Sequence, residues 1–266
     1  MTPDDIIADI RACGTTRAFN FVFPLKDEET GMLNEFSREL SRSYPMLVPF
    51  GSLHVDTPRK DEVAEHCIVK LGLAGIKLHP YAQGFEAFSP DFEPLFRKLS
   101  DLRRPLFVHT GFDAFYGCTQ DLDYLQGILD RHPDMPVVLV HSLFPRFKLA
   151  YELMARYPHL YLDMTNVPGT LAIYSKMPEA ERASAGAFDE GPLEVDDFYS
   201  ILAEFSGRVM FGTDHPAGMG SPEQIYKDLD GLGLDDSTRK DILRDSATRF
   251  LERHCGQWGI RIRSLS

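Results

Sequence analysis

The stretch Arg208–Pro216, "RVMFGTDHP", is an apolar run that stops abruptly on Gly212, Thr213, Asp214, His215 and Pro216. Strand formers up to Phe211 belong in a buried sheet, and the chain then sets a carboxylate beside an imidazole and breaks off. Polar, chemically capable residues at the end of a buried strand point to a site at that end of the sheet.

Six further short runs rich in apolar, β-branched and aromatic residues repeat the theme: "TRAFNFVFP" (16–24), "MLVPFGSLHV" (46–55), "LAGIKLHP" (73–80), "RPLFVHTG" (104–111), "PVVLVHS" (136–142) and "LYLDMTN" (160–166). Helical spacing fills the gaps, as in "GMLNEFSRELSRSYP", "PRKDEVAEHCIVKLG", "SPDFEPLFRKLSDL" with Ser89 as cap and Pro90 in the first turn, and "FPRFKLAYELMARYP". Strand and helix alternating at roughly 25 to 50 residues per unit predict a parallel sheet wrapped by helices. The phosphate-binding glycine patterns of open nucleotide-binding sheets are absent. His79, His109, Ser142, Asn166 and Asp214 all fall at C-terminal strand ends, with His141 at the same level, which favours a closed barrel whose rim gathers residues from several strands. The expected fold is therefore α/β, a TIM-type (β/α)8 barrel forming a single domain over residues 1–266.

Seven strands are recognisable rather than eight. The residues open with "MTPDDIIADIRACG", in which Thr2 caps a helix, Pro3 takes its first turn, Asp4 and Asp5 complement its dipole and Gly14 ends it. The missing strand is the first. With no strand among residues 1–15, the edge of the strand at 16–23 is expected to lie open, or differently filled, beside the strand at 208–211.

Composition narrows the partner. The chain has 266 residues, 43% of them hydrophobic, and no run of the ~20 apolar residues that a membrane span needs. Lys plus Arg number 28 against 40 for Asp plus Glu, a net charge of −12 that argues against nucleic-acid or anionic-membrane binding and for a small-molecule substrate. Cys13, Cys67, Cys118 and Cys255 are far apart and form no C-x-x-C pair, and the N-terminus lacks a basic-then-apolar leader, so a reduced, cytoplasmic protein with plain buried or surface thiols is expected.

"GIKLHP", "PLFVHTG", "VVLVHS" and "MFGTDHP", in this order, resemble the amidohydrolase superfamily, in particular the amidohydrolase-related branch of metal-dependent hydrolases, lactonases and decarboxylases. The resemblance runs from the opening helix to about Leu251. It implies that His109 is a metal ligand, that His141 ligates a second metal or positions water and substrate, and that Asp214 touches the metal and takes a proton from its bound water. A divalent metal, zinc in the first instance, is the implied cofactor, and association into homo-oligomers is common among such barrels. On chemical grounds alone, a catalytic zinc takes imidazole and carboxylate ligands and lowers the pKa of an open-site water to ~7, and a neighbouring carboxylate can act as base.

One departure is plain. The resemblance implies a first strand ending in His-x-His, yet none of His54, His66, His79, His109, His132, His141, His159, His215 and His254 forms such a pair. Either the residues here start downstream of that strand or the strand has been lost, and His109, Asp214 and His141 are left to converge on one weakly held ion. Lys77 and His79 share parity in "GIKLHP", so both point inward if either does. A lysine here bridges two metals as a carbamate in some binuclear relatives; contact with an anionic substrate group, or with an inner carboxylate, suits this branch better. His54 is a spare imidazole near the rim, His215 points away from the axis, and His66, His132, His159 and His254 are expected on the surface. Phe112, Phe115 and Tyr116 either line the pocket or simply pack, and the long segment 167–192 suits a lid or a subunit contact.

The reaction these readings imply is attack of activated water on a small carboxylate-bearing ester, amide or lactone. Non-oxidative decarboxylation, with Asp214 or His141 protonating a ring carbon, uses the same rim, and a barrel without its metal could serve as a binding or scaffold protein.

Overall fold

The computed structural model describes residues 1–117, 120–178, 193 and 195–259. Cys118 and most of the long 167–192 segment lie outside them. The opening helix α1 (Pro3–Ala12) forms as its caps dictate: Asp5 N–H donates to the Thr2 hydroxyl, and Thr2 N–H donates back to the Asp5 carboxylate at 2.7 Å. All seven expected strands are present, each shorter than its sequence run: β1 (Ala18–Asn20), β2 (Leu47–Pro49), β3 (Ile76–Leu78), β4 (Leu106–His109), β5 (Val137–Val140), β6 (Leu160–Asp163) and β7 (Val209–Met210). The helices between them are α2 (Thr30–Ser43), α3 (Lys60–Glu65), α4 (Glu93–Leu102), α5 (Leu122–Arg131), α6 (Phe147–Arg156), α7 (Val167–Lys176) and α8 (Val195–Phe205), and α9 (Pro222–Asp230) and α10 (Ser246–His254) follow β7.

Every strand pair is parallel, in the order β1-β2 and β3-β4-β5-β6-β7, with a single bridge between Gly51 and Ile76 joining the two groups. This is a TIM-type barrel, with seven strands among the described residues. Strand pleating sends alternate residues to opposite faces. Ile76, Leu78, Leu106, Val108, Val137, Leu139, Leu160, Leu162 and Val209 face outward into the helix layer, where Phe92, Phe96, Phe147 and Phe198 cover them. Val48, Phe50, Phe107, Val138, Val140, Tyr161 and Met210 face the axis.

Among the described residues no further strand lies beside β1: residues 3–12 are helical, and β7 pairs with β6 alone. Side chains bridge the gap instead. Phe250 of α10 reaches into the barrel base, with its ring centroid 6.3 Å from Phe19, 5.7 Å from Phe107 and 4.8 Å from Tyr161. Below it Trp258 is 4% exposed, and its indole N–H donates to the Gly72 carbonyl at 2.8 Å. Helix α1 ties into the same side through Asp9, whose carboxylate lies 3.2 Å from His215 Nε2, and through Thr15, whose hydroxyl lies 3.0 Å from that of Tyr226.

Three of the histidines expected at the surface are not free there. His132 is buried against Glu93 at 3.0 Å, His159 is half-buried, and the His254 ring packs on Phe250 with Nε2 2.9 Å from the Tyr161 hydroxyl. Aromatic-rich barrel walls draw these rings inward, and only His66 is exposed as expected. Cys67 and Cys255 are buried free thiols, and burial pushes Cys67 up to about 12. No helix among the described residues is long and apolar enough to cross a membrane.

Two outcomes follow from this base. Phe250→Ala removes the ring that fills the strandless side, and should cost about 3–5 kcal/mol, read as a lower urea midpoint at unchanged slope. His254 is held down to about 4 by burial and by Arg253, below its ordinary 6.5. The unfolded chain therefore takes up a proton that the folded chain refuses. Stability should fall as pH drops from 6.5 towards 4, and His254→Gln should flatten that slope in urea melts at pH 7 and pH 5.

Candidate functional site at the barrel mouth

The inward-facing residues stack in layers whose polarity changes along the axis. In the lower layer Lys77 pairs in register with Phe107, Phe107 with Val138 and Val138 with Tyr161; one step higher His109 pairs with Val140 and Val140 with Asp163. His79 follows Lys77 by two residues and so belongs to the upper layer. An apolar base thus carries a polar mouth at the C-terminal strand ends.

Three imidazoles meet there. His79 and His109 stack with centroids 3.9 Å apart and planes at 16°. His109 Nδ1 lies 3.2 Å from His141 Nε2, and His141 Nδ1 lies 2.8 Å from the Thr165 carbonyl. A carbonyl only accepts, so His141 donates from Nδ1. Burial holds His141 at about 3, so the ring is neutral at pH 7 and its Nε2 is an acceptor. His109 then donates from Nδ1 and keeps a lone pair on Nε2. That atom is buried without a hydrogen-bond partner, and burial depresses the His109 pKa strongly. His79 is set the other way. Its Nδ1 accepts from Ala82 N–H at 3.3 Å, capping the turn Pro80–Gln83, and burial followed by Lys77 holds it at about 3. The mouth therefore offers an N–H from His79 beside a lone pair from His109.

The turn that delivers His141 is strained. His141, Ser142 and Leu143 have φ of +65°, +55° and +56°, a left-handed run of three non-glycine residues that costs of order 1–3 kcal/mol each. Hydrogen bonds secure it: His141 to Thr165, Ser142 Oγ to the Asp163 carbonyl at 2.9 Å, and Phe144 N–H to the His141 carbonyl at 2.9 Å.

Lys77 is 4% exposed and makes no hydrogen bond or ion pair among the described residues; its ammonium lies 5.3 Å over the Phe21 ring. Burial lowers its pKa to about 8, opposed by the fields of Asp163 and Asp214. Asp163 is 7% exposed and accepts from Thr165 N–H at 2.7 Å. Gly212 makes room for this pair, since a Cβ there would fall on the Thr165 hydroxyl and within 3.1 Å of the Asp163 carboxylate. Asp214, at φ +53°, stands more open, with Asn166 Nδ2 3.5 Å from its carboxylate. Burial raises both carboxyls, and Lys77 opposes the rise in each.

Aromatic rings wall one side. Phe23 lies 4.7 Å from His79, and Tyr116 sits edge-on to His109 at 5.2 Å and stacks on Tyr81 at 4.9 Å. The Tyr81 hydroxyl donates to Asp113, which also holds Arg146 at 2.6 Å. Of the candidate aromatics, Tyr116 lines the mouth, Phe112 stacks on Phe144 while touching His141 edge-on, and Phe115 is 82% exposed. His54 is buried with Nδ1 3.5 Å from Asp56. His215 turns away to Asp9, as its parity implies.

The structure thus brings Lys77, His79, His109, His141 and Asp214 to one end and adds Asp163, which sequence reasoning passed over. Its signal was there: "LYLDM" puts a carboxylate on the last strand residue in phase with Tyr161. Convergence of His109, His141 and Asp214 on one ion is not realised. Among the described residues no three His, Cys, Asp or Glu side chains are placed to hold a metal. The reason is local: both nitrogens of His141 are engaged, His109 offers one lone pair, and a catalytic zinc needs about three protein ligands. The donor set among the described residues does not fit a catalytic metal.

The amidohydrolase family profile matches residues 5–253. The chain belongs to the amidohydrolase family. Among solved structures, the chain is similar to an uncharacterised TIM-barrel protein from Bordetella bronchiseptica, at 19% identity and a TM-score of 0.69, covering 95% of this chain and 83% of that one. A 5-carboxyvanillate decarboxylase from Novosphingobium aromaticivorans, complexed with manganese and 4-hydroxy-3-methoxy-5-nitrobenzoic acid, matches at 16% identity and a TM-score of 0.65, over 92% of this chain and 79% of that one. A Pseudomonas putida protein described as a 2-pyrone-4,6-dicarboxylic acid hydrolase matches at 16% identity and a TM-score of 0.61, over 92% and 85%. Comparison with proteins of curated function finds no match. At these identities the likeness shows the barrel fold and no more.

The imidazole chain is open to direct test. Long-range ¹⁵N spectra at pH 7 should show three neutral rings, His109 and His141 protonated on Nδ1 and His79 on Nε2. A charged His109 at that pH would contradict the arrangement.

Proposed function

We propose that this amidohydrolase mouth hydrolyses a small carboxylate-bearing ester, amide or lactone. The observation that carries the reading is Lys77: a buried ammonium on an inward-facing strand position that makes no hydrogen bond or ion pair among the described residues and lies over the Phe21 ring. A buried charge without a partner is costly, and an anionic group on a substrate would satisfy it.

Asp214 is the base. Water beside its carboxylate gives up a proton to it as the water oxygen attacks the carbonyl carbon, and the carbonyl electron pair moves onto oxygen. The His79 N–H and the Lys77 charge lie on the side where that oxyanion forms and offset it. Collapse re-forms the carbonyl and breaks the C–O or C–N bond, and the leaving group takes the proton from Asp214. The His109 lone pair accepts a hydrogen bond from substrate or water, and His141 holds His109 in that tautomer. No step here passes through a metal ion, since the donors do not fit one; the expected zinc belongs to this chain only as a loosely held ion. The pyrone-dicarboxylic acid hydrolase among the similar structures supports a carboxylate-bearing lactone by its described substrate.

The aromatic wall of Phe23, Tyr81 and Tyr116 favours a planar ring and so sustains a second reading, non-oxidative decarboxylation, by analogy with the 5-carboxyvanillate decarboxylase. There Asp214 delivers the proton to the ring carbon as carbon dioxide leaves, because His141 has no free N–H to give.

A panel of small carboxylate-bearing lactones and esters, followed by acid release in a pH-stat, tests the first reading. Turnover is expected, and Asp214→Asn should lower kcat by about 10²–10⁴-fold with the fold retained. Carbon dioxide release from ring acids would favour the second reading. Hydrolysis undiminished in Asp214→Asn would remove Asp214 from the chemistry, and no turnover of any kind would leave a binding or scaffold barrel.

A further inference from the structure

The pairing of β3 with the segment after β2 changes character at the mouth. Gly51 N–H donates to the Gly75 carbonyl at 2.9 Å, and the Lys77 backbone N–H donates to the Gly51 carbonyl at 2.8 Å. By the regular parallel pattern His79 N–H would next donate to the Leu53 carbonyl. A side chain stands in that rung instead. His79 N–H donates to Gln83 Oε1 at 2.9 Å, and Gln83 Nε2 donates to the Leu53 carbonyl at 3.0 Å and to the Pro24 carbonyl at 2.8 Å.

Gln83 is 7% exposed, and its partners fix which end of the amide is which. Turned over, its NH₂ would face an N–H and its oxygen two carbonyls. Pro24 and Leu53 lie beyond the ends of β1 and β2, and His79 follows β3 directly, so one buried side chain joins the ends of three strands. The turn Pro80–Gln83 completes the hold on His79: Gln83 N–H donates to the His79 carbonyl at 3.0 Å, and Ala82 N–H to its Nδ1 at 3.3 Å.

What Gln83 holds is part of the mouth. The His79 ring stacks on His109 at 3.9 Å, and Phe23, the residue before Pro24, sets its own ring 4.7 Å from that of His79. The bridge between Gly51 and Ile76 joins the β1-β2 group to the β3-β7 group one layer below. At the level of His79 the Gln83 amide makes the join.

We infer that Gln83 is a positioning residue of this site: its carboxamide replaces a ladder rung between Leu53 and His79, and in doing so aims the His79 ring and seats Phe23 beside it. A direct rung sets paired strands ~4.8 Å apart, and an amide inserted between donor and acceptor spreads them wider at the rim. The inference rests on the proposed hydrolysis only in giving the His79 N–H work to do at the oxyanion.

Two variants test it. Gln83→Met keeps the reach of the side chain and removes its three hydrogen bonds; Gln83→Asn keeps the amide but falls one methylene short, and serves if methionine disturbs the fold, with circular dichroism melts as the check. Long-range ¹⁵N spectra should show His79 leaving its single Nε2-protonated form for a mixture, and nuclear Overhauser effects between the Phe23 and His79 rings should weaken. His141, anchored on Thr165, should keep its signals. Phe250→Ala, weakened at the barrel base, should leave His79 as in wild type, which separates positioning from loss of stability. With a substrate that turns over, kcat in Gln83→Met should fall about 10- to 100-fold with KM little changed. His79 signals and Phe23 contacts that stay as in wild type in both Gln83 variants would overturn the inference, and so would changes that reach His141 equally. The spectra involve no substrate, so their failure is separable from failure of the hydrolysis assay.

Discussion

A primary ammonium held almost out of water on the barrel axis is the constraint around which the mouth is organised. The charge of Lys77 must be met, and the surrounding groups divide the work. Asp163 and Asp214 meet it with negative field, Phe21 offers its ring face, and three imidazoles stay neutral rather than add to the charge. The neutrality of the imidazoles follows from burial and is fixed by a chain of hydrogen bonds that begins at a single backbone carbonyl, that of Thr165. The strained turn at His141 belongs to the same economy: a left-handed run of three residues is tolerable because it aims one ring nitrogen at that carbonyl.

Strand pleating delivers these groups to one place. Alternation sends Lys77 and His79, Phe107 and His109, Tyr161 and Asp163 inward while their neighbours pack on helices. The axis is thereby split into an aromatic base and a polar mouth. The base does structural work that an eighth strand would do elsewhere, since Phe250 and its neighbours fill the side where β1 and β7 do not pair. Rigid aromatic packing below and hydrogen-bonded polar groups above suit a site that must hold its geometry.

Much of this could be read in the sequence. Each of the seven strands, the opening helix with its Thr2 cap, and the meeting of Lys77, His79, His109, His141 and Asp214 at one rim follow from apolar runs ending in polar residues. Asp163 was less legible because Asn166, three residues on, also reads as a polar strand end; strand β6 ends at Asp163, and Asn166 already lies in a left-handed turn beside Asp214. The histidine tautomers could not be read, because they depend on which backbone carbonyl faces which nitrogen, a matter of loop geometry. Nor could the burial of His132 and His254, whose partners Glu93 and Tyr161 are remote in sequence. The expected one-ion cluster failed for a similar reason: residue types set what can ligate, but His141 spends both nitrogens on neighbours.

The chain carries one tryptophan, and its place has an optical consequence. Trp258 sits at the N-terminal end of the strands, bonded to the Gly72 carbonyl and packed into the base with Phe250 and Cys255. Its emission is a reporter of whether the last helix is docked and the base intact. It is blind to events at the mouth, where the aromatic groups are tyrosine, phenylalanine and histidine. Intrinsic fluorescence is therefore a clean gauge of unfolding in this protein and a poor gauge of ligand, whose arrival is better followed through the tyrosines.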